Sequence, residues 1–114
     1  MTASPIAGIP VSGAIHLAET ALAAPRLVRS GTIGRAAAVT LLAIASVQAS
    51  SPDDVCARRQ AELAALAGTR QPYLASVASP QLVEAGLVAR LRYDGGPAYT
   101  VCHERVRAWA GGDL

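Results

Sequence analysis

"AELAALAGTRQPYLASVASPQLVEAGLVARLRYDGGPAYTV", residues 61–101, carries the order of elements that decides the fold. A short Ala/Leu helix stops at Gly68, a second helix opens on Gln71-Pro72, Gly86 ends it, and an alternating ribbon follows. Glycine permits the left-handed backbone that closes a helix. Proline suits the first helical turn, where its missing N–H has no partner to lose. Ser79-Pro80 is a second cap-plus-Pro signature, so the spacing predicts a break or kink there before a last turn over 81–85. Residues 87–93 and 98–102 alternate as strands around a hairpin turn at Asp94-Gly95-Gly96. In the first strand Ala89, Leu91 and Tyr93 share one face, expected to be the core side, and Arg90 and Arg92 share the other.

Upstream, Ser51-Pro52-Asp53-Asp54 reads as a helix start, with a cap, a Pro and acids at the positive end of the dipole. That helix is expected to run to about Ala67. Ile33, Ala37, Leu41, Ile44 and Val47 recur at helical spacing over 33–47, with Thr32 or Ser30 as the cap. A weaker helix spans Ser12 to Ala24, with Ile15, Ala18 and Leu22 on one stripe and Pro25 ending it. Residues 1–11 form a Ser-, Pro-, Gly- and Ala-rich arm, and a short last helix over about 103–110 turns Val106 and Trp109 inward. The chain thus divides into an arm and helix (1–29), a domain (30–110) and a tail (111–114).

The length, 114 residues, suits one domain with a modest core. Ala dominates, Phe is absent and Trp109 is the single Trp, so Leu, Val and Ala must fill the interior. That favours packed helices, and the fold class is mainly α with a small β-hairpin. Every basic side chain is Arg. A net charge of +2 does not by itself announce a nucleic-acid binder, so a local patch has to supply the field. The apolar run over 36–47 is shorter than the ~20 residues a membrane span needs. With Arg35 before it and Val47-Gln48-Ala49 after it, the run also mimics a signal peptide, but it begins far beyond a short n-region. Cys56 and Cys102 form no CxxC pair and read as two reduced thiols of a cytoplasmic protein. The alternative is an exported chain cleaved near Ala49 with a Cys56–Cys102 disulfide.

Helix, helix, Gly-containing turn, helix and two-stranded ribbon is the order of a winged helix-turn-helix domain. Over residues 61–101 the chain resembles bacterial winged helix-turn-helix transcriptional regulators of the ArsR and MarR types. The resemblance rests on "ELA" in the second helix, a Gly at the turn, Gln-Pro opening the recognition helix and "EAGLV" leading into the wing. It implies a repressor-like regulator that binds double-stranded DNA, with a recognition helix at about 70–79 in the major groove and a wing at 88–101 on the backbone. Half-site geometry then implies a homodimer, for which the 12–24 and 103–110 segments are candidate elements. From Gly68 to Gly86 the chain is one residue longer than is usual in that family, and the excess falls at Ser79-Pro80.

The residues themselves fit this arrangement. Ala64 gives clearance where the two helices cross, while Leu63, Leu66, Leu74, Val77 and Leu82 supply a shared core. Arg70, Gln71, Tyr73 and Ser76 then face away from it, toward a groove, and Arg90 and Arg92 are placed to neutralise phosphates. Arg26, Arg29 and Arg35 either extend the patch or only solubilise the chain. A winged-helix module that binds protein is the alternative function.

Some ArsR-type repressors bind thiophilic metals through cysteines, which draws attention to Cys56, Cys102 and His103. Adjacent Cys102 and His103 at a strand end send their side chains to opposite faces, so no metal and no cofactor is assigned. His16 and His103 have no recognisable nucleophile or acid partner, and Glu62 and Glu84 read as exposed helix residues. The sequence is not read as an enzyme.

Overall fold

The computed structural model describes residues 11–111, so most of the expected N-terminal arm and the tail beyond Gly111 lie outside the described residues. Helix α1 (Val11–Arg29) and helix α2 (Arg35–Ala49) form an antiparallel pair joined by a tight turn. Helix α3 (Gln60–Ala67) follows an irregular stretch. A continuous helical path comes next, made of α4 (Gln71–Tyr73), a π-helical turn (Leu74–Ala78) and α5 (Ser79–Glu84). Strands β1 (Val88–Tyr93) and β2 (Gly96–Val101) make an antiparallel hairpin, and α6 (His103–Gly111) closes the chain against α1. Over the described residues the protein is mainly helical with one two-stranded sheet.

Helix α2 is the centre of the molecule. Ala37, Leu41, Ile44, Ala45 and Gln48 are all buried, and α1, α3, α5 and β2 pack around it. A helix apolar on nearly every side has to be enclosed in this way. Its N-cap is Gly34 rather than Thr32 or Ser30: Ser30 Oγ is engaged with Leu27 O, and no side chain caps the helix. The start of α1 crosses the end of α2 very closely. A Cβ on Gly13 would lie 2.4 Å from Ala49 O.

Four expectations from the sequence are corrected here. Pro25 sits inside α1 instead of ending it. Its missing N–H orphans a carbonyl on the solvent-exposed side of the helix, while Ala23, Ala24 and Leu27 hold the buried side in place. Ser51-Pro52-Asp53-Asp54 starts no helix. Asp54 takes a left-handed φ of 57°, and Cys56 pairs with Tyr99 through two backbone hydrogen bonds of 2.8 and 2.9 Å, so the helix begins only at Gln60. Cys56 thereby covers part of the free edge of β2, which a helix at this position would leave unpaired. Ser79-Pro80 makes no break. Ser79 N–H donates to Leu74 O, a five-residue step that widens the helix and gives the Pro80 ring room against the preceding turn. This π turn takes up one residue more than an α turn, where the sequence count has its excess. Finally, Leu63, Leu74 and Leu82 are fully buried, but Leu66 and Val77 are 60% and 40% exposed and do not belong to the core.

Gly68 ends α3 with φ 69°, and its N–H and that of Thr69 satisfy the last carbonyls of the helix. The hairpin turn is two residues long, Asp94 (φ 52°) and Gly95 (φ 78°), the mirror-image turn that matches strand twist. Among the described residues no helix is long and apolar enough to cross a membrane.

Two glycine substitutions test these junctions by urea denaturation. Gly68→Val should cost about 1–2 kcal/mol, since open space surrounds the position and only the backbone resists. Gly13→Ala should also destabilise, although alanine normally gains about 1 kcal/mol over glycine within a helix, because its Cβ meets the Ala49 carbonyl. Unchanged stability in the first variant, or a gain in the second, contradicts the respective junction.

Candidate nucleic-acid interface

Arg70 caps the helix that follows Gly68, in extended conformation, and Pro72 occupies its first turn. Arg70, Gln71, Tyr73 and Ser76 are all solvent-exposed, as the sequence predicts. Their chemistry differs. Among the described residues the Arg70 guanidinium and the Gln71 amide make no side-chain hydrogen bond, whereas Ser76 Oγ donates to Pro72 O at 2.6 Å. Tyr73 is 45% exposed. The exposed face of α4 and the π turn therefore presents one cation at the helix N-terminus and then uncharged groups. The positive end of the peptide dipoles adds to the field of Arg70.

The hairpin carries Arg90 and Arg92 exposed, but its faces differ from the expected ones. The register sets Val88, Arg90 and Arg92 opposite Val101, Tyr99 and Pro97, so both arginines share a face with buried Val88, Tyr99 and Val101. Tyr99 Oη accepts from Ser79 Oγ at 2.9 Å and lies 3.3 Å from Gln60 Nε2, fastening that face to the helices. The opposite face holds exposed Ala89 and half-buried Leu91, and Tyr93 Oη donates to the Asp53 carboxylate. The base of the ribbon is thus covered on both sides, and no single face is the core side. Arg92 Nη1 donates to Gly95 O at 3.3 Å, and among the described residues Arg90 has no side-chain partner. Arg29 and Arg35 are exposed, but Arg26 is committed to the structure, donating to the Trp109 and Ala110 carbonyls at the end of α6.

A second polar cluster, not anticipated from the sequence as a unit, lies where α1, α2, the 50–56 segment and α6 meet. The His16 and His103 rings stack with centroids 3.7 Å apart and 14° between planes. Asp54 places both carboxylate oxygens 3.4 Å from His103 Nε2. Buried Gln48 accepts from Val101 N–H at 2.8 Å, and its Nε2 lies 3.1 Å from Asp54 Oδ1, 3.2 Å from Thr100 Oγ1 and 3.2 Å from His103 Nε2. Burial, and then the facing His103, hold the His16 imidazole below its ordinary pKa. The one signal in the sequence was Gln48 itself, a polar residue at the end of an otherwise apolar helical run. The cysteines lie outside this cluster. Cys56 is buried, and burial pushes its thiol pKa up, which keeps it protonated and inert. Cys102 is exposed and unbonded.

Compared with family models, curated proteins and solved structures, the chain matches none.

Gln48→Leu keeps the volume of the side chain but strips the buried Val101 N–H of its acceptor. It should destabilise the protein by about 1–3 kcal/mol and speed amide exchange at the base of the hairpin. Wild-type stability in that variant refutes the role given to the amide.

Proposed function

We propose that this chain is a cytoplasmic DNA-binding transcriptional regulator of the winged helix-turn-helix kind, acting as a homodimer. The observation that carries the reading is the exposed set Arg70, Gln71, Tyr73 and Ser76 on the helix after Gly68, followed through Gly86 by a hairpin bearing exposed Arg90 and Arg92. In this reading the helix from Gln71 enters the major groove, where Gln71 is suited to pair with a base edge. Arg90 and Arg92 neutralise phosphates, which position the protein without reading sequence. The backbone pairing of Cys56 with Tyr99 supports the assignment, since it steadies the hairpin against the helices.

The homodimer draws on α1. Val11, Ile15, Ala18 and Leu22 form a stripe along that helix and remain exposed, although the other side of α1 packs on α2 and α6. A second copy laying its own stripe there removes this apolar surface from water. The exported alternative has less support, because cleavage near Ala49 discards α1 and α2 and with them Leu27, Leu41 and Ile44 of the core. A protein-docking function draws on exposed Leu66, Tyr73 and Val77 and on the lack of a basic residue within α4, the π turn and α5.

Salt titrations of binding to random duplex DNA separate these readings. A DNA binder loses affinity steeply with salt, and Arg90→Ala with Arg92→Ala should reduce the slope of log K against log salt by ~1 to 2 units while circular dichroism shows an intact fold. Gln71→Ala should instead lower binding to a selected site more than binding to random duplex. Full binding by the folded double variant leaves the hairpin as scaffold only. Sedimentation tests the assembly: the wild type should run as a dimer, and Ile15→Glu with Leu22→Glu as a folded monomer. A monomeric wild type overturns the dimer.

A further inference from the structure

We propose that His16, Asp54 and His103 form a binding site for a divalent transition-metal ion of the zinc type. One ligand atom from each residue lies within 4.8 Å of the other two. Two imidazoles and one carboxylate are a donor set suited to such ions, and they leave a coordination position open. With neutral imidazoles and an ionised carboxylate the three groups carry one negative charge, which favours a dication.

The distances point the same way. Nε2 of His103 stands 3.4 Å from each oxygen of Asp54, outside the usual range for a charge-assisted hydrogen bond. Two ligand atoms that each sit ~2.1 Å from one ion in tetrahedral directions are about 3.4 Å apart. His16 completes the set with a ligand atom within 4.8 Å of the other two, and its ring has to turn out of the stack on His103 to aim a nitrogen lone pair at the ion. The surroundings supply orientation. Gln48, held by the Val101 N–H, points its amide nitrogen at Asp54 Oδ1, as outer groups around metal ligands do. One turn along α1 from His16, Glu19 binds Arg107 through Oε2 while Oε1 is buried with no hydrogen-bond partner among the described residues, which leaves acceptor capacity on the same helix face. The three ligands come from α1, the 50–56 segment and α6, so a bound ion staples three separate pieces of chain beside the base of the hairpin.

The test uses the tag-free chain after treatment with a chelator. Zn²⁺ should bind one ion per chain by calorimetry and raise the melting temperature, and Co²⁺ should give visible ligand-field bands of a nitrogen- and oxygen-coordinated ion. His103→Ala should weaken Zn²⁺ binding by at least about 100-fold, the upper end of what loss of an outer partner alone costs. Asp54→Asn should also weaken it markedly while leaving the metal-free melting temperature close to wild type. Asparagine tolerates the left-handed φ at that position, so this variant keeps the test valid even if the His103 variant folds poorly. Cys102→Ser should bind as the wild type does. No calorimetric or thermal response to millimolar Zn²⁺ overturns the proposal, as does undiminished binding by Asp54→Asn or loss of binding in Cys102→Ser.

Discussion

The rest of the structure depends on the buried amide of Gln48. Its carbonyl accepts the Val101 N–H and its nitrogen reaches Asp54, Thr100 and His103, so one side chain at the end of α2 joins the central helix to the hairpin, the 50–56 segment and α6. A two-stranded hairpin is at best marginally stable alone in water. Here Gln48 holds one face, Tyr99 fastens the other to Ser79, and Cys56 pairs with the outer edge of β2. The position of Arg90 and Arg92 is inherited from these three attachments rather than from the strands.

The same scaffold explains why the helix between Gly68 and Gly86 stays whole. Leu74, Ala78 and Leu82 are fully buried on its inner side, and breaking the helix at Pro80 would pull one of them out of the core. Widening by one residue at Leu74–Ala78 keeps all three inside and relieves the proline. The outer side, with Gln71, Tyr73 and Ser76, carries none of this packing and is free for recognition.

Two chemically distinct regions result. One is an arginine- and amide-bearing surface on the second half of the chain, suited to a polyanion. The other is a cluster of two half-buried imidazoles and the exposed Asp54 carboxylate at the junction of α1, α6 and the 50–56 segment, suited to a small cation. Both are tied to the base of the hairpin, the first by chain continuity through β1 and β2 and the second through Gln48 and Thr100. An ion bound as proposed would sit beside the base of the hairpin that carries Arg90 and Arg92.

Local signals in the sequence determined what local physics controls. The ends of α3 and α5 at Gly68 and Gly86, the Asp94-Gly95 turn, the core role of Leu41, Ile44, Leu63, Leu74 and Leu82, and the exposure of Arg70 and Gln71 follow from backbone preference and periodicity alone. Where local and tertiary preferences compete, the tertiary one won. Pro25 and Pro80 carry strong stop signals, but helices already packed on α2 gain more by continuing than they lose at one carbonyl. Ser51-Pro52-Asp53-Asp54 is a good helix start on its own, and it yields because Cys56 finds a strand edge 43 positions away, at Tyr99. The facing of the ribbon was decided by which residues the helices cover, a choice that alternation leaves symmetric. The meeting of His16, Asp54 and His103 lies furthest from what sequence can express. Its three members are separated by long stretches of chain, and only the packing of α1 against α2 and α6 brings their ligand atoms within reach of one another.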